Sequence, residues 1–143
     1  LGLVGSEMCI RDSPIDIEPL HEAMGPDAYG FSLRVLAKDP GVDAMMINIM
    51  GLPDEMKGSP FYASPADYVR YFSEARELAP DKPLVACVGG DKEAVGEVME
   101  ALEEAGFPAY PSIWRAIRAL SALCRYASIR RKLTEGRAGQ GRQ

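Results

Sequence analysis

Two short loops carry the residues whose types and spacing suit chemistry. They are Asn48-Ile49-Met50-Gly51 and Gly89-Gly90-Asp91-Lys92. Each closes an apolar run that reads as a strand. A glycine there lets a backbone approach a phosphate closely. A helix starting just afterwards presents free N–H groups and the positive end of its dipole. The second loop has the better local form, because a helical pattern begins at once. Taken alone, a Gly-Gly between strand and helix more often marks a tight turn. Asn48 is the more pointed residue. A polar amide at the end of an apolar strand needs partners once buried, from a neighbouring loop or from a ligand. Asn48, Gly51, Gly89 and Gly90 are therefore the candidate phosphate-loop residues.

Other reactive side chains read as structural. His21 is the only histidine. It has no adjacent Ser or Cys nucleophile and no metal-ligand spacing, so a surface or loop role is expected. Asp16, Glu18 and Glu22 read as a solvated acidic cluster. Cys9, Cys87 and Cys124 are odd in number and lack CxxC spacing, which argues against a disulfide framework and a zinc site. Cys87 and Cys124 read as small core hydrophobes, and a reducing cytoplasm fits best. No catalytic residue and no metal site is assigned.

The elements that must position these loops follow from the rest of the chain. Its 143 residues suit one domain. The net charge is −5, yet eight of the 16 Lys and Arg fall after Pro111, where Glu135 is the only acid. The acidic body argues against nucleic-acid binding, and the basic end reads as a solvated helix and tail. No apolar run reaches the roughly 18 residues of a membrane span, and the start lacks a signal-peptide pattern. Residues 1–13, with Gly5-Ser6-Glu7-Met8-Cys9-Ile10-Arg11-Asp12-Ser13, look like a translated sequencing-adapter scar and are set apart from the fold.

From Pro14 the pattern is regular. Residues 14–17 read as a short strand, 26–38 as a helix, and 42–50 as a strand buried on both faces. A loop over 51–63 leads to Ser64-Pro65, an N-cap followed by proline at the first helical position. Tyr68, Tyr71, Phe72, Ala75 and Leu78 then form an apolar stripe. Residues 84–88 read as a buried strand. The next helix, with Val95, Val98, Met99, Leu102 and Ala105 on one face, ends at Gly106. Residues 107–110 form a strand. Ser112 caps a last helix whose inward face is Ile113, Ala116, Ile117, Leu120, Cys124 and Ala127. After Leu133 the chain is polar and Gly-rich, a composition that suits a disordered tail over 129–143. Alternating strands and helices with short connections imply parallel strands and right-handed crossovers. The expected class is α/β: a flavodoxin-like, doubly wound parallel sheet in three αβα layers, spanning 14–128.

Several ordered blocks resemble ADP-forming acyl-CoA synthetases. Pro14-Ile15-Asp16-Ile17 resembles that family's Asn-Pro-Val-Asp-Leu segment, with Ser13 in place of Asn. Asp39-Pro40-Gly41-Val42-Asp43-Ala44 and Lys82-Pro83-Leu84-Val85 resemble its next two strand entries. Glu104-Ala105-Gly106-Phe107-Pro108-Ala109-Tyr110-Pro111-Ser112, with the Arg-Ala-Ile-Arg-Ala-Leu beginning at Arg115, resembles its closing strand and helix. Asn48-Ile49-Met50-Gly51 is similar to the Asn-Ile-Phe-Gly-Gly loop in the C-terminal domain of the succinyl-CoA synthetase β-subunit, with Leu52 replacing the second Gly.

The resemblance implies the reaction acyl-CoA + ADP + phosphate ⇌ acid + CoA + ATP through a phosphohistidine. It implies CoA, ADP or ATP and Mg for a whole enzyme, none of them bound by this piece. It also implies partner domains or subunits absent here: a CoA-binding domain, a Ser-His-Thr-Gly phosphohistidine segment and an ATP-grasp domain. The family's first strand and helix would precede residue 14, so the sheet would lack them and the piece alone would be poorly stable. Two other readings compete. One is a non-catalytic CoA-related or subunit-docking module. The other is a degenerate response-regulator receiver domain, in which Asn48 would replace the acceptor Asp.

Overall fold

The structure is a computed structural model that describes residues 15–140, with side chains up to residue 130. The suspected adapter segment, with Cys9, lies outside the described residues. Among the described residues, five α-helices and three strands follow, with a 3-10 helix at Asp54–Met56: α1 (Glu18–Met24), α2 (Asp27–Lys38), β1 (Met45–Gly51), α3 (Pro65–Leu78), β2 (Leu84–Gly90), α4 (Lys92–Glu104), β3 (Ala109–Tyr110) and α5 (Ile113–Gln140). The strands are all parallel in the order β1-β2-β3, with Asn48 opposite Cys87 and Cys87 opposite Tyr110. This is a mixed α/β fold of the expected flavodoxin-like kind.

Local chemistry explains the boundaries. Ser64 and Asp67 form a reciprocal capping box at the start of α3, and Pro65 takes the first helical position. Gly106 ends α4 at φ 79°, a conformation that suits glycine. Lys82 donates to the carbonyls of Ala37 (2.8 Å) and Asp39 (2.6 Å), satisfying the end of α2.

Strand alternation divides the sheet into two unequal faces. On the first, Met45, Ile47, Ile49, Leu84, Ala86 and Val88 pack with Leu33 of α2, Phe72 of α3 and Leu102 of α4. On the second, Val85 and Cys87 are buried under Ala116 of α5, with Met46, Tyr110 and Leu120 half-buried beside them.

Several expectations are corrected. Residues 15–17 form no strand; the chain there is irregular and leads into α1. A strand needs a hydrogen-bonded neighbour, and β1 pairs only with β2 among the described residues. β1 begins at Met45, because Val42 N–H donates to Asp39 O and closes a turn. It is not buried on both faces: Asn48 is exposed and Met50 is 56% exposed. β3 is shorter than expected, since Phe107 packs edge-on against Phe72 before the pairing begins. Leu78 is exposed, as are Ile113, Ile117, Cys124 and Ala127 on α5. α5 runs to Gln140, past the expected end at Leu133.

Candidate functional site

The carboxyl ends of β1 and β2 carry the four candidate residues, two on each face of the sheet. Alternation puts Gly51 and Gly90 on the three-helix face, and Asn48 and Gly89 on the α5 face.

Gly51 and Gly90 serve a close backbone approach. A Cβ on Gly90 would lie 2.3 Å from Gly51 O, and Gly90 sits at φ 122°. A Cβ on Gly51 would lie 3.0 Å from Val95 N. The Asp91 N–H donates to Gly51 O at 3.0 Å, tying the two strand ends together. Asp91 Oδ1 then accepts from the N–H groups of Glu93 (3.0 Å) and Ala94 (3.2 Å). A carboxylate thus already caps the positive end of α4, where an anion would otherwise gain most.

Asn48 and Gly89 stand on the less covered face. Nothing lies within 4 Å of a Cβ built on Gly89. With Met50 beside them, they form an open surface bordered by α5, whose Ile113, Trp114 and Ile117 are also exposed. Asn48 presents its amide to solvent, so the partner expected for a buried amide is not required.

His21 is corrected most sharply. It is 3% exposed, not on the surface. Its Nδ1 lies 3.0 Å from Gly25 O and 3.3 Å from Pro60 O. Carbonyls only accept, so Nδ1 carries the proton. The ring packs edge-on to Tyr29 and tilted against Phe61. His21 is a core bracket between α1 and the loop after β1.

Cys87 is buried, and burial pushes its thiol pKa up, away from nucleophilic character. Cys124 is exposed, contrary to its expected core role. Asp16 Oδ1 accepts from Glu18 N–H at 2.9 Å and so serves the start of α1.

One polar cluster lies outside the loops that sequence reasoning points to. Asp54 pairs with Lys57 and accepts a 2.8 Å bond from Tyr62 Oη. The bond to Lys57 holds the Asp54 carboxyl below its usual range, and the bond to Asp54 holds Lys57 above its own. The spacing of Asp54 and Lys57, three apart in a turn, was the available signal. All three groups are largely in water, and the cluster orders the 52–64 loop. Among the described residues no group of three or more His, Cys, Asp or Glu could hold a metal ion. No helix among them is long and apolar enough to cross a membrane. A cavity of about 210 Å³ lies at the opposite end of the sheet, lined by Arg76, Lys82, Leu84 and Phe107 among others. Its cations are engaged: Lys82 with α2, and Arg76 over the Phe107 ring at 4.1 Å.

Comparison with known proteins supplies the next observation. Over 120 residues, 83% of this chain, it is 27% identical to the Acetate--CoA ligase [ADP-forming] II of Archaeoglobus fulgidus. The chain is similar to a segment of an ADP-forming acetate–CoA ligase. Over 62 residues, 43% of the chain, it is 44% identical to the Acetate--CoA ligase [ADP-forming] I subunit alpha of Pyrococcus furiosus. The matches span 16% and 13% of those two ligases, so the chain corresponds to a small part of each. No protein-family model and no solved structure matches it.

Proposed function

We propose that this chain is one α/β unit of an ADP-forming acyl-CoA synthetase, of the kind found at the C-terminus of the succinyl-CoA synthetase β-subunit. The reading is carried by the 120-residue similarity to an ADP-forming acetate–CoA ligase, and the parallel α/β fold agrees with it. The whole enzyme would convert acyl-CoA, ADP and phosphate to acid, CoA and ATP in the cytoplasm, through a phosphohistidine on another segment. CoA, nucleotide and Mg would be bound elsewhere in the whole enzyme. The α4 N-terminus is capped by Asp91, and no group of three or more His, Cys, Asp or Glu among the described residues could hold a metal ion. No step is therefore assigned to this unit. Its part is structural: Asn48 and Gly89 face the domain that carries the phosphoryl group, while Gly51 and Gly90 hold the strand ends at that surface. The partners are a CoA-binding domain, a phosphohistidine segment and an ATP-grasp domain.

The half-open sheet face favours a second reading, a subunit-docking module without catalysis. A receiver domain is not supported, because Asn48 offers an amide where a phosphoacceptor carboxylate would stand. The genomic reading frame upstream of residue 14 separates the first two. Continuation into a CoA-binding domain and a Ser-His-Thr-Gly segment is expected. A frame that opens near residue 14 on this unit alone would overturn the enzyme reading.

A further inference from the structure

Charge is sorted between two helices that cannot meet within one chain. On α4, Glu93, Glu97, Glu100 and Glu104 recur at steps of four, three and four, which sets them in one row opposite the buried Ala94, Val98 and Leu102. All four are exposed, and none joins a salt bridge among the described residues. Lys57 acts on Glu97 through space, but its partner is Asp54. Nothing lies within 4 Å of a Cβ built on Gly96, a turn before Glu100, so the row stands open. On α5, Trp114, Arg118, Arg125 and Ile129 recur at steps of four, seven and four, opposite the buried Ala116. All are exposed, Trp114 at 68%. Arg118 and Arg125 make no ion pair and no cation–π contact among the described residues.

The two rows match in pitch. Arg118 and Arg125 are seven residues apart, as are Glu93 and Glu100, and Glu97 and Glu104. At the helical rise each interval is about 10.5 Å. The rows lie on opposite sides of the sheet, since α4 packs over Val88 and α5 over Val85 and Cys87. In one chain they point away from each other, so only another molecule can lay a basic row on an acidic one. α5 also has packing to gain. From Cys124 to Arg130 every residue is exposed except the half-buried Ser128, whereas helices draw most of their stability from a packed face. Trp and Arg together suit a protein interface, and a row that mixes them with Ile is not the apolar face that a bilayer takes. The 20 acids of residues 1–111, against eight bases, would also repel an anionic bilayer or a nucleic acid. A second copy supplies the acidic row itself.

We propose that the chain self-associates head to tail, with the basic α5 row of one copy lying along the acidic α4 row of the next. Arg118 and Arg125 pair there with two glutamates seven residues apart, and Trp114 and Ile129 are covered at the ends of the contact. Such a contact joins two different surfaces, so it closes only where copies exchange both contacts or form a ring. Exposed ion pairs contribute little each and are screened by salt, so the association is weak and salt-sensitive.

The test uses the whole chain, with reductant present so that the exposed Cys124 cannot cross-link copies. Sedimentation equilibrium is compared at about 0.05 M and about 0.5 M salt. The expected result is association at low salt that weakens at least tenfold at high salt. Arg118→Glu with Arg125→Glu should weaken it at least tenfold, and so, separately, should Glu97→Lys with Glu104→Lys. Mixed one to one, the two double variants should associate again, because each supplies the charge that the other lacks. Circular dichroism checks that the variants keep the fold. The milder pair Arg118→Gln and Arg125→Gln should act in the same direction. A chain that stays monomeric at low salt, association indifferent to salt or to the double variants, or a mixture that does not recover would overturn the proposal. So would binding of α5 to anionic phospholipid vesicles in place of a second copy. The ligase reading stands or falls separately, on the upstream frame.

Discussion

The two faces of the sheet are built from the same three strands, yet they differ in how far they are covered. On one face, three helices bury Phe72, Leu33, Ile49, Leu102 and Val88 to 1% exposure or less. On the other, a single helix covers Val85 and Cys87 and leaves Asn48 and Met50 in water. The difference separates stability from contact. The first face holds most of the core, and the second leaves Met50, Ile113 and Ile117 exposed beside a small cluster.

The sharpest way to break this comparison is to cut matching side chains from each face. Phe72→Ala should cost about 3–5 kcal/mol in urea unfolding. Met50→Ala should stay within about 0.5 kcal/mol. Equal losses would mean that the faces are not unequal. The glycine pairs make the next contrast. Gly90→Ala drives a methyl into Gly51 O at a positive φ and should cost about 3 kcal/mol. Gly89→Ala meets open space and should be nearly neutral in the same assay.

The packed face also has a pH signature. Burial, with the hydrogen bond to Asp27 second, pushes the Tyr71 hydroxyl up to about 12, and burial raises Tyr68 further. A folded pKa above the unfolded value gives stability that is whole below about pH 10 and lost as pH rises through the folded value. Thermal melts should therefore fall above about pH 10, and Tyr71→Phe should reduce that fall. The smallest expected effect lies at the α3 cap. Ser64→Ala should cost about 1 kcal/mol at neutral pH. The Ser64 hydroxyl bond holds the Asp67 carboxyl below its usual range, which gives stability that is lost as pH falls below about 4. Melts of the variant should accordingly be less sensitive to acid.

Much of the fold was legible because it is local. The Ser64-Pro65 start, the Gly106 stop and the apolar runs of β1 and β2 are written in neighbouring residues. The division of the candidate site was legible too, through strand period: Asn48 and Gly51 are three apart, and Gly89 and Gly90 adjacent, so each pair must straddle the sheet. His21 was not legible, because its burial depends on Pro60, 39 residues away, and on the Tyr29 and Phe61 rings. The exposure of Asn48 was hidden for a related reason. An apolar run reports what a strand can bury, not whether a neighbour is present to cover it. Residues 15–17 teach the same lesson, since their strand pattern has no described strand to pair with.

Amide hydrogen exchange along β1 in the isolated chain tests the central claim most directly. Ile47 and Ile49, bonded to β2, should exchange slowly, and Met46 and Asn48, facing outward, should exchange orders of magnitude faster. Uniformly slow exchange from Met45 to Gly51 would contradict an open outer edge on β1.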